Sequence, residues 1–180
     1  MQKSASVILL FLFTVLSTIA HAQEVQQASV TFQVKHAAGS TATGTFSPVT
    51  AVLKYDPAKP ADLSISGSVL AASINTGLGV RDKQIRKEAY LDVAKHPTIQ
   101  LEVSKASVVA VNKWQSQAKI TLKGTTKVYP IIILSEPLGN KQYRFTSSFM
   151  LNRLDHKVGE SSWLLADSVR VSLELKAAVK

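Results

Sequence analysis

The side chains that could carry chemistry in this chain are few, because it contains no cysteine. That removes a thiolate nucleophile, a thiolate metal site and a redox pair. Beyond residue 22 the histidines are His36, His96 and His156, set in three separate regions without the close spacing that metal ligands usually show. No metal is therefore expected. There is no G-x-S-x-G elbow, P-loop or dinucleotide fingerprint. An acid–base set of His36, Asp155 and His156 would have to meet within hydrogen-bond reach of one point. Their wide separation argues against this, and an enzyme is not expected.

Two groups invite a binding role instead. His36 continues the phase of Val30, Phe32 and Val34, so its ring points inward if that segment is a strand. Two readings stay open for it. It is either a core histidine bonded to a neighbour, as burial demands, or a group at a cavity mouth that meets the polar end of an apolar ligand. Arg81 and Asp82 open a short stretch of helical spacing. The expected role is structural, with Asp82 favouring the helix start through the dipole and Arg81 pairing with a carboxylate.

The elements that must position these groups are strands. Period-2 alternation runs through Ser29–Lys35, Leu63–Ala71, Ile99–Ser104, Ala118–Gly124, Tyr143–Leu151 and Val169–Lys176. Thr43–Tyr55 is read as one further segment, closed by the turn signals Asp56-Pro57 and Lys59-Pro60. With Val128–Leu134 this makes about eight strands, joined mostly by short turns that suit antiparallel pairing. The fold class is all-β, and so many strands with one apolar face close as a sandwich or a barrel. Their length favours a tall barrel. Asn75–Ala94 breaks the alternation and reads as a loop with one short helix across the barrel, with Tyr90, Leu91 and Val93 beneath it. His156–Trp163 is a second irregular stretch.

The inner phase collects Val30, Phe32, Val34, His36, Phe46, Leu53, Ile65, Val69, Ile99, Leu101, Ile120, Leu122, Phe145, Phe149, Val171 and Leu173 as the candidate lining. Arg81, Asp82, Gln84, Ile85 and His156 fall in the irregular stretches and are the candidate mouth. An eight-stranded barrel can be packed solid or can hold one small ligand. Alternation alone leaves that choice open.

The first residues read as an export signal. Lys3 precedes the apolar run Val7–Leu16, and Ala20-His21-Ala22 offers a cleavage site, so residues 1–22 are expected to be removed and 23–180 to form one domain. The run is too short for a membrane anchor, and a periplasmic location is expected. Net charge is +9. The bases are scattered singly and not clustered, so nucleic acid is not an expected partner. A solvated surface is the plainest reading, with attraction to an anionic membrane surface as the second. Val108–Val111 and Pro130–Leu134 are apolar on both faces and could mark a homodimer contact or cover for an end helix.

Read in order, the segments resemble the YceI-like family of exported polyisoprenoid-binding proteins. Ser29–His36 is similar to its opening strand ending in Lys-His, and Gly44-Thr45-Phe46 to its Gly-x-Phe. Ala72–Gly77 then leads to Arg81-Asp82, and Tyr90–Ile99 looks like its most recognisable segment. Leu122–Lys127 resembles its Leu-x-Gly-x-Thr-Lys turn, and Leu151–Asp155 its Asn-Arg-x-Asp. The sequence departs at Gln84-Ile85, where the family usually has His-Leu, and at Asp155-His156-Lys157, where it has Asp-Phe-Gly. It also has Tyr90-Leu91 for a paired aromatic. The resemblance implies a lipocalin-like barrel enclosing an isoprenoid, quinone or similar long-chain lipid, as carrier or scavenger, with no other cofactor. A solid-core interaction module is the alternative, and an enzyme acting on such a lipid the more remote one.

Overall fold

In the computed structural model the described residues are 23, 25–37 and 39–179, so the export signal lies outside them. Nine antiparallel strands form one sheet: β1 Val25–His36, β2 Thr41–Phe46, β3 Val49–Lys54, β4 Ser64–Leu70, β5 Thr98–Ala110, β6 Lys113–Leu122, β7 Thr125–Gly139, β8 Gln142–Asn152 and β9 Leu165–Ala178. Their order is β2-β1-β9-β8-β7-β6-β5-β4-β3. The alternation expected from sequence is cleanest in β6. There Trp114, Ser116, Ala118, Ile120 and Leu122 are buried, while Lys113, Gln115, Gln117 and Lys119 are exposed.

The expected single segment Thr43–Tyr55 is two strands, which raises the count from about eight to nine. Pro48 has no N–H to give to a ladder, and the chain divides there. β2 pairs with β1 and β3 with β4, so the two halves lie on opposite edges of the sheet. The sheet curls to bring those edges together in a nearly closed barrel. Gln23 bridges the seam: its N–H donates to the Leu53 carbonyl at 3.2 Å, and its Oε1 accepts from Tyr55 N–H at 2.7 Å. Its carboxamide nitrogen also donates to the Tyr55 carbonyl. Farther up, Thr45 and Asn75 exchange backbone hydrogen bonds of 2.9 and 3.0 Å. This ties β2 to the segment after β4.

The two ends of the barrel differ. At the lower end Tyr55, just past the end of β3, meets Trp114 of β6 and Tyr143 and Phe145 of β8, edge-on to Phe145 at 5.1 Å and to Trp114 at 5.8 Å. Trp114 Nε1 donates to the Pro60 carbonyl at 2.7 Å, which satisfies the one polar atom of that ring. Leu53, Leu63 and Ala177 fill the spaces between. This end is a solid plug.

The upper end carries the cap. Helix α1, Gly79–Ile85, follows the turn at Thr76, and the loop 157–164 packs beside it through Gly159 N–H to the Ala89 carbonyl at 2.8 Å. His96 of the cap lies against the β6–β7 turn, where Gly124 has φ +68° and a Cβ would stand 2.7 Å from the imidazole. Only glycine suits that position. Gly44 serves the same purpose in the wall, since a Cβ there would lie 2.3 Å from Cζ of Phe32.

Candidate functional site

Above the aromatic plug the barrel is hollow. Val30, Phe32, Val34, Ile65, Ile99, Leu101, Val171 and Leu173 point inward yet stay only half-buried, because they face an open void and not a neighbouring side chain. The cavity has a volume of about 1070 Å³. Leu165 to Leu173 on β9 line its height, roughly 26 Å of strand, or roughly 20 Å along the axis at a typical barrel tilt. Phe145 and Leu175, both buried, make the floor. The open choice between packed and hollow barrel is thus resolved as hollow above and packed below.

Most of the candidate lining lies on this wall. Val30, Phe32, Val34, His36, Phe46, Ile65, Val69, Ile99, Leu101, Ile120, Leu122, Phe145, Phe149, Val171 and Leu173 all border the cavity. Leu53 does not. It is fully buried in the core and follows the cavity-lining Val49 and Ala51 along β3, next to the plug residue Tyr55 in that run. His36, half-buried, stands at the end of β1 and borders the cavity.

The mouth is built by the cap, and here the expectations need correction. Arg81, Gln84 and Ile85 border the cavity, but Asp82 turns away from it and is buried. Its Oδ1 accepts from Thr76 N–H at 3.0 Å and from the Thr76 hydroxyl at 2.5 Å. Arg81 does not pair with a carboxylate among the described residues. Its Nε donates to the Thr76 hydroxyl at 2.8 Å and its Nη2 to the Thr76 carbonyl at 2.7 Å. Thr76 is the hub of the cap, satisfied on every polar atom. A lone threonine in an irregular stretch gives no sequence signal of this.

His156 is also misplaced by the sequence reading. It is fully buried, away from the cavity, in a 3₁₀ turn Arg153–His156. Nδ1 lies 3.0 Å from the Thr125 carbonyl, which can only accept, so Nδ1 carries the proton and Nε2 accepts from the Tyr129 hydroxyl at 2.8 Å. Burial pushes the imidazole pKa below its ordinary value. Burial likewise raises the Tyr129 phenol, with the Asp155 charge adding to it. Asp155 itself is exposed, so the acid–base set His36, Asp155 and His156 is not assembled.

Arg153 belongs to the Asn-Arg-x-Asp resemblance but is absent from the candidate site residues. It is buried and borders the cavity near the mouth. Its guanidinium donates to the carbonyls of Ala166, Val158, Glu160 and Leu165 and to Asp167 Oδ1, the last at 2.7 Å. One side chain therefore fastens the loop 157–164 to the start of β9.

Gln84, Lys83 and Lys87 complete the rim. The acidic groups of the cap are already engaged: Asp82 by Thr76, and Glu88 and Asp92 by Lys95 at 2.7 and 3.6 Å. Among the described residues, neither Lys83 nor Lys87 has an ion-pair partner. The cavity is thus apolar along its walls, closed below and rimmed by basic and amide groups above. No helix of the described residues is long and apolar enough to cross a membrane.

Solved structures with this architecture include Burkholderia cenocepacia BcnA, which is 23% identical with a TM-score of 0.78 over 84% of this chain and 96% of that one. A Campylobacter jejuni YCEI protein is 22% identical, with a TM-score of 0.72 over 78% and 86%. A polyisoprenoid binding domain from Saccharophagus degradans, implicated in plant cell wall breakdown, is 14% identical with a TM-score of 0.68 over 89% and 99%. These share the fold. In sequence, the UPF0312 protein of Azotobacter vinelandii is 31% identical over 65% of this chain, and the chain spans 60% of that relative's length. The UPF0312 protein of Pseudomonas syringae pv. tomato is 30% identical over 74% of this chain and 72% of its own. The YceI-like domain model matches residues 22–177, nearly the whole of the described barrel, and the chain belongs to the YceI-like family.

Proposed function

We propose that this protein is an exported binding protein that holds a long-chain isoprenoid, quinone or similar lipid in the upper half of its barrel, as a carrier or scavenger. The observation that carries this reading is the half-buried state of the inward apolar wall around a cavity of about 1070 Å³. A folded protein gains from covering such surface, and an apolar chain covers it at about 0.8 kcal/mol per buried CH₂. A tail of a few isoprene units then binds tightly without a single polar contact. The rim would select the head group through His36, Arg81 and Gln84.

The described polyisoprenoid binding domain of the same fold supports this ligand class. The hollow interior speaks against a solid-core interaction module, and the dispersal of His36, Asp155 and His156 speaks against an enzyme. The test is to purify the protein without detergent, extract it with organic solvent and identify the extract by mass spectrometry. A stoichiometric prenyl or acyl lipid is expected. An extract free of both, from protein that also fails to take up added polyprenol, would sink the proposal.

A further inference from the structure

The cavity mouth is ringed by apolar side chains that the protein leaves in water. Leu78 and Val80, at the start of α1, are 58% and 85% exposed, and both border the cavity. Trp163 and Leu164 are 82% and 54% exposed. They lie beside the same opening, because the Leu164 carbonyl accepts from Ala37 N–H at 3.0 Å, next to His36, and Leu165 is already cavity wall. Single exposed apolar residues are ordinary, but four large ones around one opening mark a contact surface. The loop holding two of them is fastened by Arg153. Lys83 and Lys87 stand on the same rim with no carboxylate partner among the described residues.

Apolar tips flanked by free lysines match the boundary of a negatively charged bilayer, where acyl chains lie under a layer of phosphates. A second copy of the chain would set these lysines against the same lysines. Trp163 is also the side chain suited to the headgroup level, with an apolar body and one N–H donor. We propose that the mouth end docks on an anionic membrane surface, with Leu78, Val80, Trp163 and Leu164 entering the interface and Lys83 and Lys87 facing lipid phosphates. Docking in this orientation puts the cavity in line with the hydrocarbon, so that a lipid chain passes between bilayer and barrel without crossing water. The function of the docking rests on the lipid-binding reading; the docking itself does not.

The test uses the purified protein with vesicles of phosphatidylcholine containing phosphatidylglycerol, and with vesicles of phosphatidylcholine alone. Flotation with the anionic vesicles is expected, weaker at high salt and weak without phosphatidylglycerol. Of the two tryptophans, Trp114 is already buried, so a blue shift of emission on binding reports Trp163. Lys83→Gln with Lys87→Gln lowers the partition coefficient about 30-fold, from about 1 kcal/mol per basic residue at such a surface. Val80→Ser with Trp163→Ser lowers it about tenfold or more. All four positions are surface-exposed, so unchanged circular dichroism is expected. Absence of flotation, wild-type binding by both double variants, or a solution dimer that the rim variants split into monomers would each overturn the proposal. Polyprenol uptake from detergent micelles is measured in parallel. A wild-type protein that takes up polyprenol but does not bind the anionic vesicles overturns docking alone and leaves the lipid-binding reading standing.

Discussion

Val171→Asp separates a cavity that binds a lipid from one that is merely open. Val171 lies at mid-height on β9, paired with Phe32 on one side and Phe149 on the other, and its side chain faces the void. In the empty barrel a carboxylate at this position stays wetted through the mouth. The cost to folding is then small, about 1 kcal/mol from lost strand preference. A bound apolar chain strips that water away. Desolvating an unpaired carboxylate costs several kcal/mol, and a penalty of about 4 kcal/mol weakens binding about a thousandfold.

The assay is thermal unfolding with and without a polyprenol supplied in detergent. At a ligand concentration about 100 times Kd, wild-type protein gains about 2.7 kcal/mol, which raises Tm by roughly 5–11 °C for a domain of this size. Val171→Asp at the same concentration shows no rise. Val171→Ala loses about 1.6 kcal/mol of wall contact and keeps roughly half of the rise. A Val171→Asp protein that folds and retains the full rise refutes the assignment of the ligand to this cavity. Phe145→Glu is a poorer test, although Phe145 also borders the cavity. Its ring is buried among Tyr55, Trp114 and Tyr143, so a charge there would unfold the plug before it repelled a ligand.

Two further perturbations probe the scaffold of the mouth. Arg153→Leu leaves four backbone carbonyls and Asp167 without their donor, and a loss of about 3–5 kcal/mol in denaturant unfolding is expected. Arg153→Lys recovers little of it, since an ammonium cannot span the fork; full recovery by lysine would mean the charge alone matters. His156 sets a pH dependence. Its folded pKa lies below 6.5 because it is buried, so on acidification the unfolded chain takes up a proton before the native one does. Its stabilisation is complete above the ordinary imidazole pKa near 6.5 and declines as pH falls towards the lowered folded value. Between about pH 7 and about pH 5 the wild type therefore loses more urea stability than His156→Gln. Equal losses in both proteins would remove His156 as the cause.

The walls were legible in the sequence because alternation is a local property. β6 shows it residue by residue, and the inward phase of β1, β5, β8 and β9 follows from the same rule. Height along the barrel axis is a different matter. Leu53 and Ile65 are register partners with the same inward phase, yet one is sealed in the plug and the other looks into the void. What separates them is the stagger between strands and the arrival of Tyr55, Trp114, Tyr143 and Phe145 at one level. Those residues come from distant parts of the chain, and period-2 reading carries no information about their meeting. The division of Thr43–Tyr55 was hidden for a similar reason. Pro48 is visible as a breaker, but nothing local says that the chain crosses the barrel seam there.

The mouth was harder still, and the reason bears on how ligand choice is encoded. Asp82, His96 and Arg153 stand out in the sequence because they sit in the motifs that carry the family resemblance. In the structure they bind the protein to itself: Asp82 to Thr76, His96 against Gly124, and Arg153 to the loop 157–164. These three motif residues hold the shape of the opening, while two other motif residues, His36 and Arg81, border the cavity itself. Gln84 and Ile85 replace the family's usual His-Leu, and both border the cavity on α1. An amide cannot take up a proton as an imidazole does, so position 84 presents a head group with the same donors and acceptors whatever the pH. With walls that any apolar chain can cover, selectivity must lie in such rim positions and in the height of the aromatic floor, which limits how much of a tail the barrel can take in.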